Sequence, residues 1–270
     1  MNPPVALTIA GTDSGGAAGT AADLATFAAL GVHGACVITA VTAQDTTGVS
    51  DIHPVPLATI EAQLDAVFDD LPVAAVKTGM LGTAAAVKAF AERVVKLRVT
   101  YRPLSTSQPA IVVDPVLVAT SGAVLGGEDV RRAYLDHLLP VATVVTPNLD
   151  EARALAGHDG PPEALAAALA TDAAVIVTGG DPEATGTCTD WLAEPGRPPI
   201  PLTHPAVPTT NDHGTGCIYS SALAAHLAHG APLHKAAEQA AAYVTRQLRT
   251  SQTWTLGRGR GPIAHTQENR

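Results

Sequence analysis

Of all segments in the chain, Asn211-Asp212-His213-Gly214-Thr215-Gly216-Cys217 carries potential chemistry most plainly, because it runs directly into an apolar, Ala-rich stretch. Glycines ahead of a helix let backbone N–H groups converge, and the helix dipole adds partial positive charge there. Such a nest binds phosphate or steadies a phosphoryl group in transfer. An ordinary Gly-rich turn capping a helix has the same pattern. A second small-residue segment, Gly11-Thr12-Asp13-Ser14-Gly15-Gly16-Ala17-Ala18-Gly19, lies between a strand pattern and a helix pattern. Its glycines fit neither GxGxxG nor GxxxxGK[ST], so a dinucleotide fingerprint and a Walker loop are both absent. Asp13 is then either a ligand-binding carboxylate or an Asx-turn residue closing its own loop.

Further candidates stand where strand patterns end. Thr42 and Gln44 close one pattern, Lys77 to Met80 another, Asp114 follows Ile111-Val112-Val113, and Thr146-Pro147-Asn148 follows Val144-Val145. Open α/β sheets bind ligands outside the carboxyl ends of their strands, so polar residues gathered there carry extra weight. Gln44 offers donor and acceptor together, which suits a planar heterocycle. Met80 either packs on a ring face or fills core. Asp114 and Glu151 are the pair best suited to Mg2+, directly or through waters, since that ion takes hard oxygen ligands. A strand-end cap and a surface helix residue are their alternative roles. His33, His53, His158, His204, His226 and the other histidines show no metal spacing and read as solvent or loop residues.

The elements that must hold these residues alternate regularly. Strand patterns run over Val5–Ala10, Ala35–Ala43, Val73–Lys77, Ala110–Val113, Thr143–Thr146 and Ala174–Thr178. Helical periodicity marks Ala18–Leu30, Leu57–Leu71, Thr83–Leu97, Glu128–Leu139, Leu149–Ala156, Pro162–Ala170, Thr215–His229 and Pro232–Leu248. Continuous apolar strands between helices predict an α/β fold with a central, mostly parallel sheet covered by helices on both faces. Asp181–Pro208 breaks the rhythm with Pro and Gly, and its short pieces Cys188–Ala193 and Pro199–Thr203 predict a few antiparallel edge strands. Tyr101–Pro109 reads as a surface loop, and Gly257–Arg270 as loop and then frayed tail.

Composition narrows the function. The chain has 270 residues, 46% hydrophobic and 15% charged, with a formal net charge of −9. That balance argues against nucleic-acid and membrane partners, both of which want a basic face. No apolar run reaches the roughly 18 residues of a spanning helix, and the N-terminus lacks the pattern of a signal peptide. Three scattered cysteines, Cys36, Cys188 and Cys217, form no disulfide framework and fit a reducing cytoplasm.

Taken in order, the motifs resemble one family over nearly the whole chain. They are ALTIAGTDSGG at Ala6 to Gly16, VITAVTAQDTTGV at Val37 to Val49, VKTGMLG at Val76 to Gly82 and VVDPVLVATSG at Val112 to Gly122. LLPVATVVTPNLDEA at Leu138 to Ala152, HGTGC at His213 to Cys217 and GRGRGPIAH at Gly257 to His265 complete the series. This set is similar to the hydroxymethylpyrimidine kinase / phosphomethylpyrimidine kinases of thiamine biosynthesis, within the ribokinase-like superfamily. The resemblance implies a single ribokinase-like domain over residues 1–270 that uses ATP and Mg2+. It implies transfer first to the pyrimidine's hydroxymethyl group and then to the monophosphate, by a cytoplasmic homodimer. Gln44 matches the family's pyrimidine-recognising glutamine. Gly11, Thr42 and Met80 fall at positions lining the same pocket, with Asp13 and Lys77 in bordering motifs. Gly214, Thr215 and Gly216 match the anion hole, and Cys217 takes the place that ribokinases give to an aspartate base. A thiol acts as base only with a lowered pKa, which a helix N-terminus favours; otherwise it orients the hydroxyl. Thr146, Asn148, Thr178 and Gly180 fall on the nucleotide side, with Asp114 and Glu151 at the metal.

The chain departs from the family pattern at three places. The first loop carries Ala17 where a glycine is usual, and its methyl is expected to crowd a phosphate. Thr178 replaces a lysine expected near the ATP phosphates. Asp212 replaces a threonine beside the anion hole and is expected either to repel phosphate or to recruit a metal ion. A like-charge contact at 4 Å costs roughly 4 kcal/mol at an effective dielectric near 20. Two alternatives to the pyrimidine kinase therefore stand: a pyridoxal kinase of the same family, and a catalytically impaired pyrimidine-binding protein.

Overall fold

The β-branched runs of the sequence become the strands of one large sheet, and the Ala- and Leu-rich segments pack on it from both sides. The computed structural model describes residues 2–100, 108–117, 126–179 and 186–265, with backbone alone for 97–100. The first half of the chain runs β1 (Val5–Ala10), α1 (Gly19–Ala29), β2 (His33–Ile38), β3 (Ala40–Asp45), β4 (Gly48–Pro54), α2 (Leu57–Asp70), β5 (Val73–Thr78), α3 (Ala84–Thr100) and β6 (Ala110–Val113). The second runs α4 (Glu128–Ala133), β7 (Val144–Val145), α5 (Leu149–Ala156), α6 (Pro162–Leu169), β8 (Ala174–Val177), β9 (Thr187–Ala193), β10 (Ile200–Pro205), α7 (Thr215–Ala228) and α8 (Leu233–Ser251).

The eight-stranded sheet has the order β10-β9-β8-β7-β6-β5-β1-β2. Pairing is parallel from β2 through β8 and antiparallel between β8, β9 and β10. This is the α/β architecture that the alternation predicts, and it fits the ribokinase-like fold that the resemblance implies. The two edge strands fall where Pro and Gly interrupt the alternation, since antiparallel neighbours need only short connections. Successive residues of β1 face opposite layers. Val5, Leu7 and Ile9 pack with α2 and α3, whereas Ala6 faces α1, α7 and α8. Small residues dominate the second layer: Ala222, Ala224, Ala225, Ala236, Ala237 and Ala240 are fully buried, so α7 and α8 lie close against the sheet.

Four expectations need correction. The apolar pattern over Ala35–Ala43 is two strands, broken at Thr39, whose side chain donates to the Met80 carbonyl at 2.6 Å. Beyond it, β3 leaves the large sheet and pairs with β4 in a separate two-stranded ribbon. The Gly48–Pro54 strand escapes an apolar reading because most of it is exposed. The helix at Glu128–Leu139 changes form at Tyr134–Leu138, which winds as one π turn, followed by a 3-10 turn at Leu139–Val141. That wider turn keeps Tyr134 fully buried, its hydroxyl 3.3 Å from the Gly79 carbonyl. The described part of the expected frayed tail is instead tied down: Ile263 is fully buried, and the 261–263 backbone pairs with Thr210 and His213. Of the loop expected at Tyr101–Pro109, only Gln108 and Pro109 lie within the described residues. No helix among the described residues is long and apolar enough to cross a membrane.

Candidate active site

Parallel strands deliver their carboxyl ends to one edge of the sheet, and a cavity of about 160 Å3 opens there. Gly11, Asp13, Gln44 and Met80 line one end of it; Asp114, Thr146, Asn148, Glu151 and Thr178 line the other; Gly214, Gly216 and Cys217 lie between. Residues from seven separate strand ends and loops thus meet in one place, which is what an open α/β sheet offers a ligand.

The Gly11–Gly19 loop is held by its own carboxylate. Asp13 accepts the Gly15 N–H at 2.8 Å, and the Ala17 and Ala18 N–H groups at 3.1 and 2.9 Å. Amides that could have cradled a phosphate are therefore already spent on an internal anion. Burial works against the Asp13 charge, but His213 and the backbone amides outweigh it and hold the carboxyl below its usual range. Ala17 does not crowd the cavity, contrary to the expectation from the sequence. It is buried behind the loop, and its carbonyl packs against Gly214. The ribbon reaches the cavity through Gln44, whose backbone N–H donates to Ser14 Oγ at 2.8 Å. Gly11 leaves room there for the Met80 methyl, which a Cβ would strike.

The anion-hole segment depends on Gly214, whose φ of 93° is left-handed and whose Cβ would collide with the Ala17 carbonyl. It starts α7, and no side chain caps that helix. By contrast, α5 is closed by a capping box in which Asn148 Oδ1 accepts the Glu151 N–H at 2.9 Å and Glu151 Oε2 accepts the Asn148 N–H at 3.0 Å. An uncapped helix start facing a cavity leaves backbone donors for a ligand. Thr215 itself does not line the cavity; its hydroxyl turns back to the Asp212 carbonyl at 2.5 Å. Asp212 does not load the site with free negative charge either, because Arg260 binds it through two nitrogens, Nε at 2.7 Å.

Lys77 and Thr42 stand behind the cavity rather than in it. Lys77 is fully buried, its Nζ 2.9 and 3.0 Å from the two Asp23 oxygens and 3.9 Å from Asp114 Oδ2. Thr8 and Ser221 donate to the same Asp23 at 2.5 and 2.7 Å, so its carboxylate is well supplied with donors. Desolvation opposes the Lys77 charge, yet Asp23 and the surrounding negative groups hold its pKa above the ordinary lysine value. Thr42 donates to the Thr12 carbonyl at 2.8 Å and so fixes the ribbon to the loop.

The acidic end has the opposite character. Asp114 and Glu151 are both buried, and burial together with their mutual repulsion pushes Glu151 up to about 8. Burial also raises Asp114, against the pull of Lys77. Two hard oxygen groups short of positive charge fit a divalent cation that keeps waters and phosphate oxygens as its other ligands. Among the described residues no group of three or more His, Cys, Asp or Glu side chains is arranged to hold a metal ion. Cys217 shows the reverse of the lowered pKa that a base requires. Burial drives its thiol up to about 12, and the field of Lys77 offsets only part of this. Gly180 lies outside the described residues. His213, which reads from the sequence as a solvent or loop histidine, is buried and lines the cavity. Its position inside the anion-hole motif was the available signal; its contact with Asp13, two hundred residues away, was not legible.

A profile of the phosphomethylpyrimidine kinase family matches residues 13–264. The hydroxymethylpyrimidine/phosphomethylpyrimidine kinase of Rhizobium meliloti is 44% identical over 268 residues, covering 97% of this chain and 96% of its own. Among solved structures, the ADP complex of Bacillus subtilis pyridoxal kinase superposes with a TM-score of 0.85 at 31% identity, covering 98% of both chains. The Staphylococcus aureus pyridoxal kinase bound to AMP-PCP and pyridoxal gives 0.83 at 32% identity, with 98% of this chain and 94% of that one covered. Cavity, motifs and relatives converge, and the chain belongs to the phosphomethylpyrimidine kinase family.

Proposed function

We propose that the protein transfers a phosphoryl group from ATP to 4-amino-5-hydroxymethyl-2-methylpyrimidine and then to its monophosphate, supplying thiamine diphosphate biosynthesis. The observation that carries this reading is one cavity with Gln44 and Met80 at one end, two carboxylates at the other and the uncapped start of α7 between them. Gln44 and Met80 hold the ring, with Gly11 beneath it. The hydroxymethyl oxygen attacks the γ-phosphorus, a new P–O bond forms, the bond to ADP breaks, and the alcohol proton leaves to solvent or phosphate. Backbone N–H groups of Gly214, Gly216 and Cys217 meet the charge on the transferring group. Cys217, with its thiol held protonated, orients the alcohol rather than deprotonating it. Thr146, Asn148, Thr178 and Gly180 flank the nucleotide. Asp114 and Glu151 hold Mg2+, which neutralises phosphate charge when bound. Lys77 supports this arrangement from below by holding Asp23 and Asp114. The whole chain acts as one kinase domain in the cytoplasm, as a homodimer, in keeping with the family resemblance.

The test is ADP release by the purified protein with Mg-ATP and each pyrimidine; no turnover on either rejects the reading. A pyridoxal kinase is the second reading, favoured by the pyridoxal-bound relative of similar fold. Comparison of kcat/KM on the pyrimidine and on pyridoxal decides between the two. The pairing of Asp212 with Arg260, and the burial of Ala17 away from the cavity, remove two of the three reasons for expecting an impaired binding protein. Thr178 remains the third, and undetectable ATP binding at millimolar concentration would favour that reading.

A further inference from the structure

Asp190, at the centre of β9, is a buried acid that the proposed reaction does not use. It is 2% exposed. A carboxylate sealed from water needs partners, since burying one without them is costly. One partner is the Gly179 N–H, which donates to Asp190 Oδ1 at 3.1 Å. A second is His204 on β10, whose Nε2 stands 3.2 Å from Oδ2. Leu202 pairs across from Asp190, and His204 lies two residues further along on the same face of the sheet. Burial opposes a charge on His204, but the Asp190 carboxylate outweighs it and holds the ring's pKa above its ordinary value. His204 therefore belongs to the sheet, against the reading of it as a solvent or loop histidine.

Gly179 follows directly on Thr178, which lines the acidic end of the cavity. Thr178 is thereby gripped from both sides. Its own N–H donates to the Pro147 carbonyl at 2.9 Å, and the next N–H along the chain is taken by Asp190. The first grip ties it to the Thr146-Pro147-Asn148 segment, the second to the antiparallel edge of the sheet. Gly179 has a left-handed φ of 84°, and a Cβ there would meet nothing within 4 Å. The glycine thus serves the turn and not a close approach, and the turn delivers its N–H to the carboxylate.

We propose that Asp190 is a positioning residue for the nucleotide: by accepting the Gly179 N–H from behind, it fixes the Thr178 wall against which the nucleotide lies, with His204 as its counter-charge. It touches neither reactant. The inference deepens the kinase reading and rests on its assignment of Thr178 to the nucleotide.

The test uses the full-length protein and has two arms. Calorimetry reads the Kd of AMP-PCP, a non-hydrolysable ATP analogue, with Mg2+, and separately that of the pyrimidine alcohol. Asp190→Ala should weaken AMP-PCP binding about tenfold or more while pyrimidine binding stays within about twofold. Asp190→Asn keeps an oxygen for the Gly179 N–H and should restore AMP-PCP affinity to within about threefold of the natural chain. Equal losses for both ligands, no loss for AMP-PCP, or an Asn variant as weak as the Ala variant overturns the inference. The second arm needs no variant and so decides the matter even if Asp190→Ala does not fold. It follows hydrogen exchange at the Gly179 amide of the natural, ligand-free chain. An amide bonded to a sealed carboxylate should exchange at least about 100-fold more slowly than in an unstructured peptide, and exchange at the unstructured rate overturns the inference. A natural chain that binds AMP-PCP but phosphorylates neither pyrimidine overturns the kinase reading alone; one that binds no AMP-PCP overturns both.

Discussion

The two ends of the cavity are built on opposite plans. At the ring-facing end the polar groups already answer one another: Asp13 takes three amides, His213 bridges Asp13 and Gln44, and Thr42 and Ser14 pin the ribbon. At the phosphoryl-facing end positive charge is lacking. Asp114 and Glu151 are buried together, the start of α7 is uncapped, and Thr178 lines the cavity at the place where the resemblance implies a lysine. A saturated site selects by shape and hydrogen-bond sense, and costs little to hold ready. An unsaturated one is completed by what it binds, so its affinity depends on the charge that the ligand brings.

That contrast can be broken from either side. Gly214→Ala forces the anion-hole segment away from Ala17 and should lower kcat by about 100- to 1,000-fold, the usual loss on disturbing an oxyanion-type donor. Calorimetry should show pyrimidine affinity changed by less than about tenfold, since those contacts lie elsewhere. Gln44→Ala should do the converse, raising KM for the pyrimidine by roughly 10- to 100-fold while ATP affinity stays level. Either variant damaging both ends equally would refute their separation.

Smaller effects sharpen the picture. Cys217→Ser should keep activity within about tenfold of the natural chain, because a protonated thiol and a hydroxyl can both orient an alcohol. Alkylation of Cys217 by iodoacetamide should be slow at neutral pH and climb steadily toward pH 12, matching a thiol raised to about 12. Thr178→Lys should tighten ATP binding by about three- to tenfold, whereas Asp212→Thr should change it by no more than about twofold, since Arg260 already neutralises that charge.

The two ends should also titrate with opposite sign. Glu151 is raised in the folded protein to about 8, so the stability it contributes is present below its ordinary value of 4.5 and is lost as pH climbs through 8. Asp13 is lowered, so its contribution is present above 3.8 and is lost as pH falls below that. In EDTA the unfolding midpoint should therefore fall by a few degrees between pH 5 and 9, and Glu151→Gln should flatten that limb without touching the acid limb.

Regular alternation made most of the fold readable. β1, β6 and α5 match the sequence pattern to the residue, because each is bounded by a turn or capping signal. The pattern over residues 35–43 misled, since an apolar run says nothing about which sheet its strand joins, and only Thr39 marks the departure. In the site, the residues at strand ends were legible as cavity-lining positions because topology alone sends them there. Lys77 was not legible as a support, because its partner Asp23 sits on a helix face that periodicity assigns merely to the interior. Asp212 misled for the same kind of reason: its partner Arg260 lies 48 residues downstream, and charge in a sequence carries no information on distant pairing.

The ribbon and the strap that follows α8 meet beside the cavity. Arg258 and Gly259 donate backbone N–H groups to Thr46 Oγ1, and the Arg258 side chain reaches Asp45 at 3.0 Å. These contacts span more than two hundred positions of chain, so the pocket cannot be assembled by any local hairpin or helix pair. Its formation waits on the last long-range closure, where the entropy of the largest loop is surrendered. Recovery of turnover after dilution from denaturant would accordingly report completion of the entire topology, and would trail the return of helical circular dichroism.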